Sequence, residues 1–197
     1  IADEWRAQSD DIDSATLPLF SLSVTVVDRV IPQRDAIIAE LSAYGGNDLL
    51  CYRDDQDDLA SRQQDQWQPW LDDLAENRGI ALQIGSGIMP ISQPDAAKFY
   101  PLIAAYDNWR LGMLHRATSL SGSLVLGLNF LEGTIDDKIM FNLAFLDELW
   151  QNEKWGTDIE AADRHGFLRA ELRDVAHFLA LLCDTAAARK LGISGDP

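Results

Sequence analysis

Residues 107–131 read DNWRLGMLHRATSLSGSLVLGLNFL. On a wheel advancing ~100° per residue, Leu111, Leu114, Thr118, Gly122 and Val125 fall on one face, and Met113, Ala117, Leu120 and Leu124 on the opposite one. A helix that is apolar on two sides has no face to give to water, so the pattern predicts a buried central helix over Asp107–Leu131. Ser119, Ser121, Gly122, Ser123 and Gly127 are small and let neighbouring helices approach closely. This stretch sets the fold class: mainly α, an orthogonal helical bundle built around it.

The flanking sequence supplies the surrounding helices. Downstream, Thr134–Glu153 reads as one amphipathic helix with Ile139, Leu143, Leu146 and Trp150 inward. Asp158–Lys190 reads as a last long helix with the stripe Leu168, Leu172, Val175, Leu179 and Leu182. Upstream, Asp95–Tyr106 is helical and interrupted by Pro101, and Asp57–Gly79 is helical with Pro69 restarting it. Ile37, Ile38, Leu41 and Tyr44 form a stripe closed by Gly45-Gly46, and Leu19, Leu22, Val26 and Val30 recur at helical spacing before Pro32. Two short segments break the helical period. Leu49–Tyr52 is apolar with an aromatic end, and Ala81–Ile84 alternates ahead of Gly85 and Gly87. They predict a minor two-stranded β element. The opening Ile1–Gln8 has no initiator Met and no N-cap residue, and Ile1 and Trp5 sit at i,i+4 spacing. It reads as the middle of a helix in a trimmed piece of a longer chain. There is no internal repeat and no low-complexity tract.

At 197 residues and 47% hydrophobic, the chain is long and apolar enough for one folded core. It carries 32 acidic and 16 basic residues, a formal net charge of −16. Such a surface repels phosphate backbones and anionic membrane leaflets, so no nucleic-acid partner is expected. It suits a basic partner, or it serves solubility alone. The longest apolar run, Leu124–Leu131, is far short of the ~20 residues that span a bilayer, so no membrane insertion is expected. Cys51 and Cys183 sit in apolar surroundings without metal-type spacing and read as buried, reduced thiols.

The motifs of enzymes are missing. No phosphate loop, dinucleotide fingerprint or nucleophile elbow is present, since Gly85-Ser86-Gly87 has none of the required spacing. His115, His165 and His177 make no paired metal motif, and His115 reads as a satisfied core histidine. No cofactor or metal is expected. Two alternatives stay open: a helical, carboxylate-dependent metalloenzyme centred on Asp174-x-x-His177, and a small-molecule-binding domain. The positive signal lies in Leu146–Gly156. The wheel centres Leu146 and Trp150 inward, points Glu148 almost directly away, places Gln151 outward and Asp147 on the flank, and leaves Trp155 outward. An outward Trp beside carboxylates marks a contact patch, because Trp is enriched in binding hot spots. The same residues also fit a solvated acidic face with Trp155 packed under the next segment.

Several pieces, in order, carry a resemblance: Glu4-Trp5 with Gln8; Asp28-Arg29-Val30; Asp48-Leu49-Leu50-Cys51-Tyr52-Arg53; Trp67 with Pro69; Gln93-Pro94; Leu114-His115-Arg116 through Thr118 to Gly122-Ser123-Leu124-Val125-Leu126; and Leu146-Asp147-Glu148 through Gln151 to Trp155-Gly156. Over nearly its whole length the chain resembles the α-subunit-specific assembly chaperone of F-type ATP synthase, a family of mitochondria and α-proteobacteria. The resemblance implies that residues 1–197 form a single α-helical chaperone domain, the family's usual N-terminal β-rich module being absent from this chain. It implies a non-catalytic protein that binds the free α subunit, in a bacterial cytoplasm or, alternatively, a mitochondrial matrix. It places the family's functional acidic position at Asp147-Glu148, where relatives often carry Glu first. Asp147, Glu148, Gln151, Glu153 and Trp155 are then the expected client-binding residues.

Overall fold

The computed structural model describes the backbone of residues 1–190 except positions 88 and 157, and side chains up to residue 183. Among the described residues the chain is mainly helical with one small parallel sheet. The first helix, α1 (Ala2–Arg6), is short, and its Glu4 carboxylate caps the next. Both Glu4 oxygens accept backbone hydrogen bonds, from Leu19 N at 2.8 Å and Phe20 N at 3.0 Å, at the start of α2 (Pro18–Thr25). Pro18 stands at the first helical position, where no N–H is needed. The helix then widens into a π-turn over Val26–Val30. The turn buries Val26 and Val30 against Gly112, where a Cβ would come within 2.5 Å of Val26.

The helix α3 (Arg34–Gly45) follows, and its terminal glycine is more than a stop signal. The buried Phe99 ring lies on it so closely that a Cβ at Gly45 would approach 2.3 Å. The predicted strand pair exists but is displaced. Leu49–Cys51 forms a 3₁₀ turn, capped by the Asp48 side chain, and β1 is Tyr52–Arg53. It pairs in parallel with β2, Gly85–Ser86. Within residues 81–84 side chains take two of the backbone donors: Ala81 N donates to Asp95 at 2.9 Å and Gln83 N to Gln93 at 2.7 Å. Between the strands, α4 (Asp57–Arg78) runs through Pro69 instead of restarting. Trp67 and Leu71 are buried on either side of the proline, and Trp67 Nε1 donates to the Leu143 carbonyl at 2.9 Å. Tertiary packing holds the helix across it. A 3₁₀ turn over Ala96–Lys98 leads into α5 (Phe99–Ala104), with Pro101 in its first turn.

The central stretch is two helices, not one. The first, α6 (Asn108–Ser121), ends at Gly122 with φ +73°, and α7 (Leu124–Leu131) begins beyond Ser123. Only glycine adopts this left-handed conformation readily. The corner is clamped from far away in sequence. The Asp48 carboxylate accepts from Ser123 Oγ at 2.7 Å, Val125 N at 3.0 Å and Leu50 N at 3.0 Å. Ser123 Oγ in turn accepts from Leu126 N, closing the cap of α7. As expected, this stretch is the heart of the core, and α7 is buried almost all round.

The predicted helix over Thr134–Glu153 also divides. The pieces are α8 (Asp137–Ala144) and α9 (Leu146–Trp155), with a corner at Phe145. A wheel carried across that corner misplaces Ile139, which is 45% exposed, while Met140 and Phe141 are buried in its stead. The last helix, α10 (Ile159–Lys190), packs Leu172, Val175 and Leu179 on α6 and α8. Cys51 is buried as expected, and burial foremost pushes its thiol up to about 12. Cys183 is exposed, against expectation. His115 is buried, yet its Nε2, 3.2 Å from Glu40 Oε1, makes no well-directed hydrogen bond, so it is not the satisfied histidine the sequence suggests. No helix among the described residues is long and apolar enough to cross a membrane.

Candidate functional site

The helix α9 carries all five residues singled out in the sequence. It starts at the Phe145 corner without a side-chain cap. Asp147 and Glu148 in its first turn compensate electrostatically for the exposed helix N–H groups. It ends at Gly156, φ +89°. Leu146 and Trp150 are its buried residues, as the wheel predicts.

The two carboxylates diverge. Asp147 turns toward α4 and accepts from Gln63 Nε2 at 2.8 Å. Burial is the largest effect on its carboxyl and raises its pKa, with the nearby Asp54 and Glu148 charges adding and the Gln63 bond opposing. Glu148 turns toward α10. Its Oε2 accepts from Arg164 at 2.7 Å and faces His165 Nε2 at 2.8 Å. Here too burial pushes the pKa up, but the bonds from His165 and Arg164 outweigh it and hold the carboxyl below its ordinary value. Glu148 is therefore not the free, outward carboxylate that the wheel alone suggests. It bridges α9 to a buried His165 on α10.

The far end of α9 is tied to α4. Glu153 receives Arg62 Nη1 at 2.9 Å on both oxygens, and Lys154 Nζ meets Asp58 at 2.9 Å. Gln151 is exposed, and no described residue hydrogen-bonds its side chain. Trp155 is 71% exposed and stands edge-on against Trp150 at 5.5 Å. The arrangement brings all five residues onto one short helix but onto different sides of it. Asp147 and Glu153 face α4, Glu148 faces α10, and Gln151 and Trp155 face solvent. Sequence reasoning missed the partners Asp58, Arg62, Gln63, Arg164 and His165. The i,i+4 pair Asp58/Arg62 on α4, complementary to Glu153-Lys154, was the one local signal of a matching charged face.

Chemically, the site offers hydrogen-bond acceptors, one amide and a protruding indole. Among the described residues no group of three or more His, Cys, Asp and Glu converges as metal ligands would.

The chain as a whole resembles known proteins. Residues 1–75 match the family described as ATP12 chaperone protein. The crystal structure of Atp12 from Paracoccus denitrificans shares 37% identity, with 92% of this chain and 79% of that one covered and a TM-score of 0.87. A point mutant of the same Paracoccus protein gives 36% identity over the same shares, again with a TM-score of 0.87. The Atu1473 protein of Agrobacterium tumefaciens shares 33% identity, covering 91% of this chain and 69% of that one, with a TM-score of 0.84. With more than a third of its residues shared with the Paracoccus Atp12 across most of both chains, and with the same helical fold around a small sheet, this chain belongs to the ATP12 chaperone family.

Proposed function

We propose that the protein binds the free α subunit of the F-type ATP synthase head, without catalysis, and releases it as the head assembles. The observation that supports this most is the solvent face of α9. Trp155 protrudes beside the uncommitted amide of Gln151, on a helix that cross-helix bonds through Asp147, Glu148 and Glu153 hold in place. Groups already fixed in the free protein lose little entropy on binding. Asp147 and Glu148 keep part of their surface open, so each can meet a basic side chain without full desolvation. A net charge of −16 suits a client surface rich in basic, phosphate-binding side chains. The resemblance to the α-subunit chaperone supports this choice of client, and with it a bacterial cytoplasm or a mitochondrial matrix as the compartment.

The test is binding of purified α subunit, measured beside thermal melting on the same variants. Trp155→Ala should weaken binding by about 2 kcal/mol, as an exposed aromatic anchor does, and shift stability by no more than about 0.5 kcal/mol. Asp147→Lys should weaken binding by about 1–3 kcal/mol. Normal binding by both variants would remove α9 from the interface. No binding by the unaltered chain would remove the α subunit as client.

A further inference from the structure

We infer that the groove between α9 and α10 seats an extended segment of a partner polypeptide, with Arg169 taking an acidic side chain of that segment. The groove has a volume of about 760 Å³ and is bounded by α4, α8, α9 and α10. That is the size of a ligand cleft, roughly 300–1,000 Å³. Its floor is apolar, formed by Leu146 and Leu149. Gln66, Asn142 and Asn152 stand around that floor, one on each of α4, α8 and α9, and no described residue hydrogen-bonds any of the three carboxamides. A carboxamide carries both a donor and an acceptor. It therefore matches a peptide group, which offers one of each. Three of them over an apolar strip form a surface for a main chain with alternate side chains turned down.

The charges in the groove identify the segment. Arg62 is engaged by Glu153, and His165 by Glu148. Arg169 is the cation lining the groove that no described carboxylate engages. Its guanidinium lies 3.6 Å from the centroid of the Phe141 ring. A guanidinium lying over a ring face keeps N–H donors at its edge, where a carboxylate can meet two of them at once. In a chain with twice as many acids as bases, this is a local site that draws in an acidic side chain which the rest of the surface repels. Access is open at Gly166, where an added Cβ would meet nothing within 4 Å. The inference rests on the chaperone reading for the polypeptide nature of the occupant, and it concerns a surface separate from the exposed Trp155.

The experiment titrates the full chain with the peptide acetyl-Ala-Val-Glu-Val-Ala-amide and reads side-chain amide resonances by NMR. Saturable shifts should appear at Gln66, Asn142 and Asn152. Arg169→Gln should weaken the peptide at least about fivefold. Gly166→Phe should block it, with unchanged melting showing that the fold is intact. Absence of saturable shifts overturns the inference. So does equal binding of the Lys-for-Glu peptide, and so does sodium acetate giving the same shifts at the same concentration, which would make this a small-anion site. The readout does not involve the α subunit. A chain that binds the peptide but not the α subunit supports the groove and overturns the proposed client instead.

Discussion

Asp48 is fully buried, and among the described residues no cation faces it. It is held instead by two backbone N–H groups and the Ser123 hydroxyl. Burial, the largest effect, pushes its pKa up, and those donors oppose the rise. Asp48→Ala would strand three buried donors, and should destabilise the protein by about 3 kcal/mol or more; urea unfolding measures this, and a change under about 0.5 kcal/mol would sink the account. The pH dependence has a definite sign. Because the folded carboxyl has the higher pKa, its contribution to stability is fully present below the ordinary value of 3.8 and is lost as pH rises through the folded value. Asp48→Asn should lack that slope. The sequence placed Asp48 in a recognisable run but not in its role as a clamp, since the two partners it draws in, Ser123 and Val125, lie 75 and 77 residues away. Gly45 is similar: its position after an apolar stripe reads as a helix stop, and nothing local reveals the Phe99 ring lying on it.

At the scale of elements, periodicity located every major helix and misjudged where they bend. A wheel assumes a continuous rod, so corners at Gly122 and Phe145 rotate everything beyond them. The error is small for α9, because Leu146 and Trp150 share one piece, and larger for α8, where Ile139 turns outward. The inward residues of α9 were legible for that reason. Its cross-helix bonds were not, because pairs such as Glu148–Arg164 depend on how α10 folds back. Those bonds make the seating of α9 sensitive to acid. Glu148 has a folded pKa below its ordinary 4.5, so its stabilising effect is present above that value and is lost as pH falls through the folded one. Between α9 and α10, backbone amides should therefore exchange faster with solvent as pH drops below about 4.5, after correction for intrinsic exchange. Glu148→Gln should already show the faster exchange at neutral pH and little further change. An acid response identical in the variant would leave the bridge without a role.

Over the whole molecule, the excess of 32 acidic over 16 basic residues is a long-range property that no single contact expresses. It should accelerate encounter with a basic client, and added salt should slow association, since the screening length is only about 8 Å at physiological ionic strength. Stopped-flow association with the α subunit from low to high salt tests this; an on-rate indifferent to salt leaves the charge a solubility device. Fold class was legible at this scale because a stretch apolar on both sides can only be central. The sheet was legible in kind and not in register, because side chains of Asp95 and Gln93 claim the donors of residues 81 and 83. The corner at Gly122 carries one more consequence, for the order in which the molecule folds. Gly122 and Ser123 permit the bend, but the carboxylate that clamps it arrives from 75 residues upstream. The turns of α6 and α7 on either side of it can form from local contacts alone, on the order of a microsecond. The bent form must wait for a long loop to close. The finished corner therefore records a meeting of two segments 75 residues apart, which neither stretch can bring about alone.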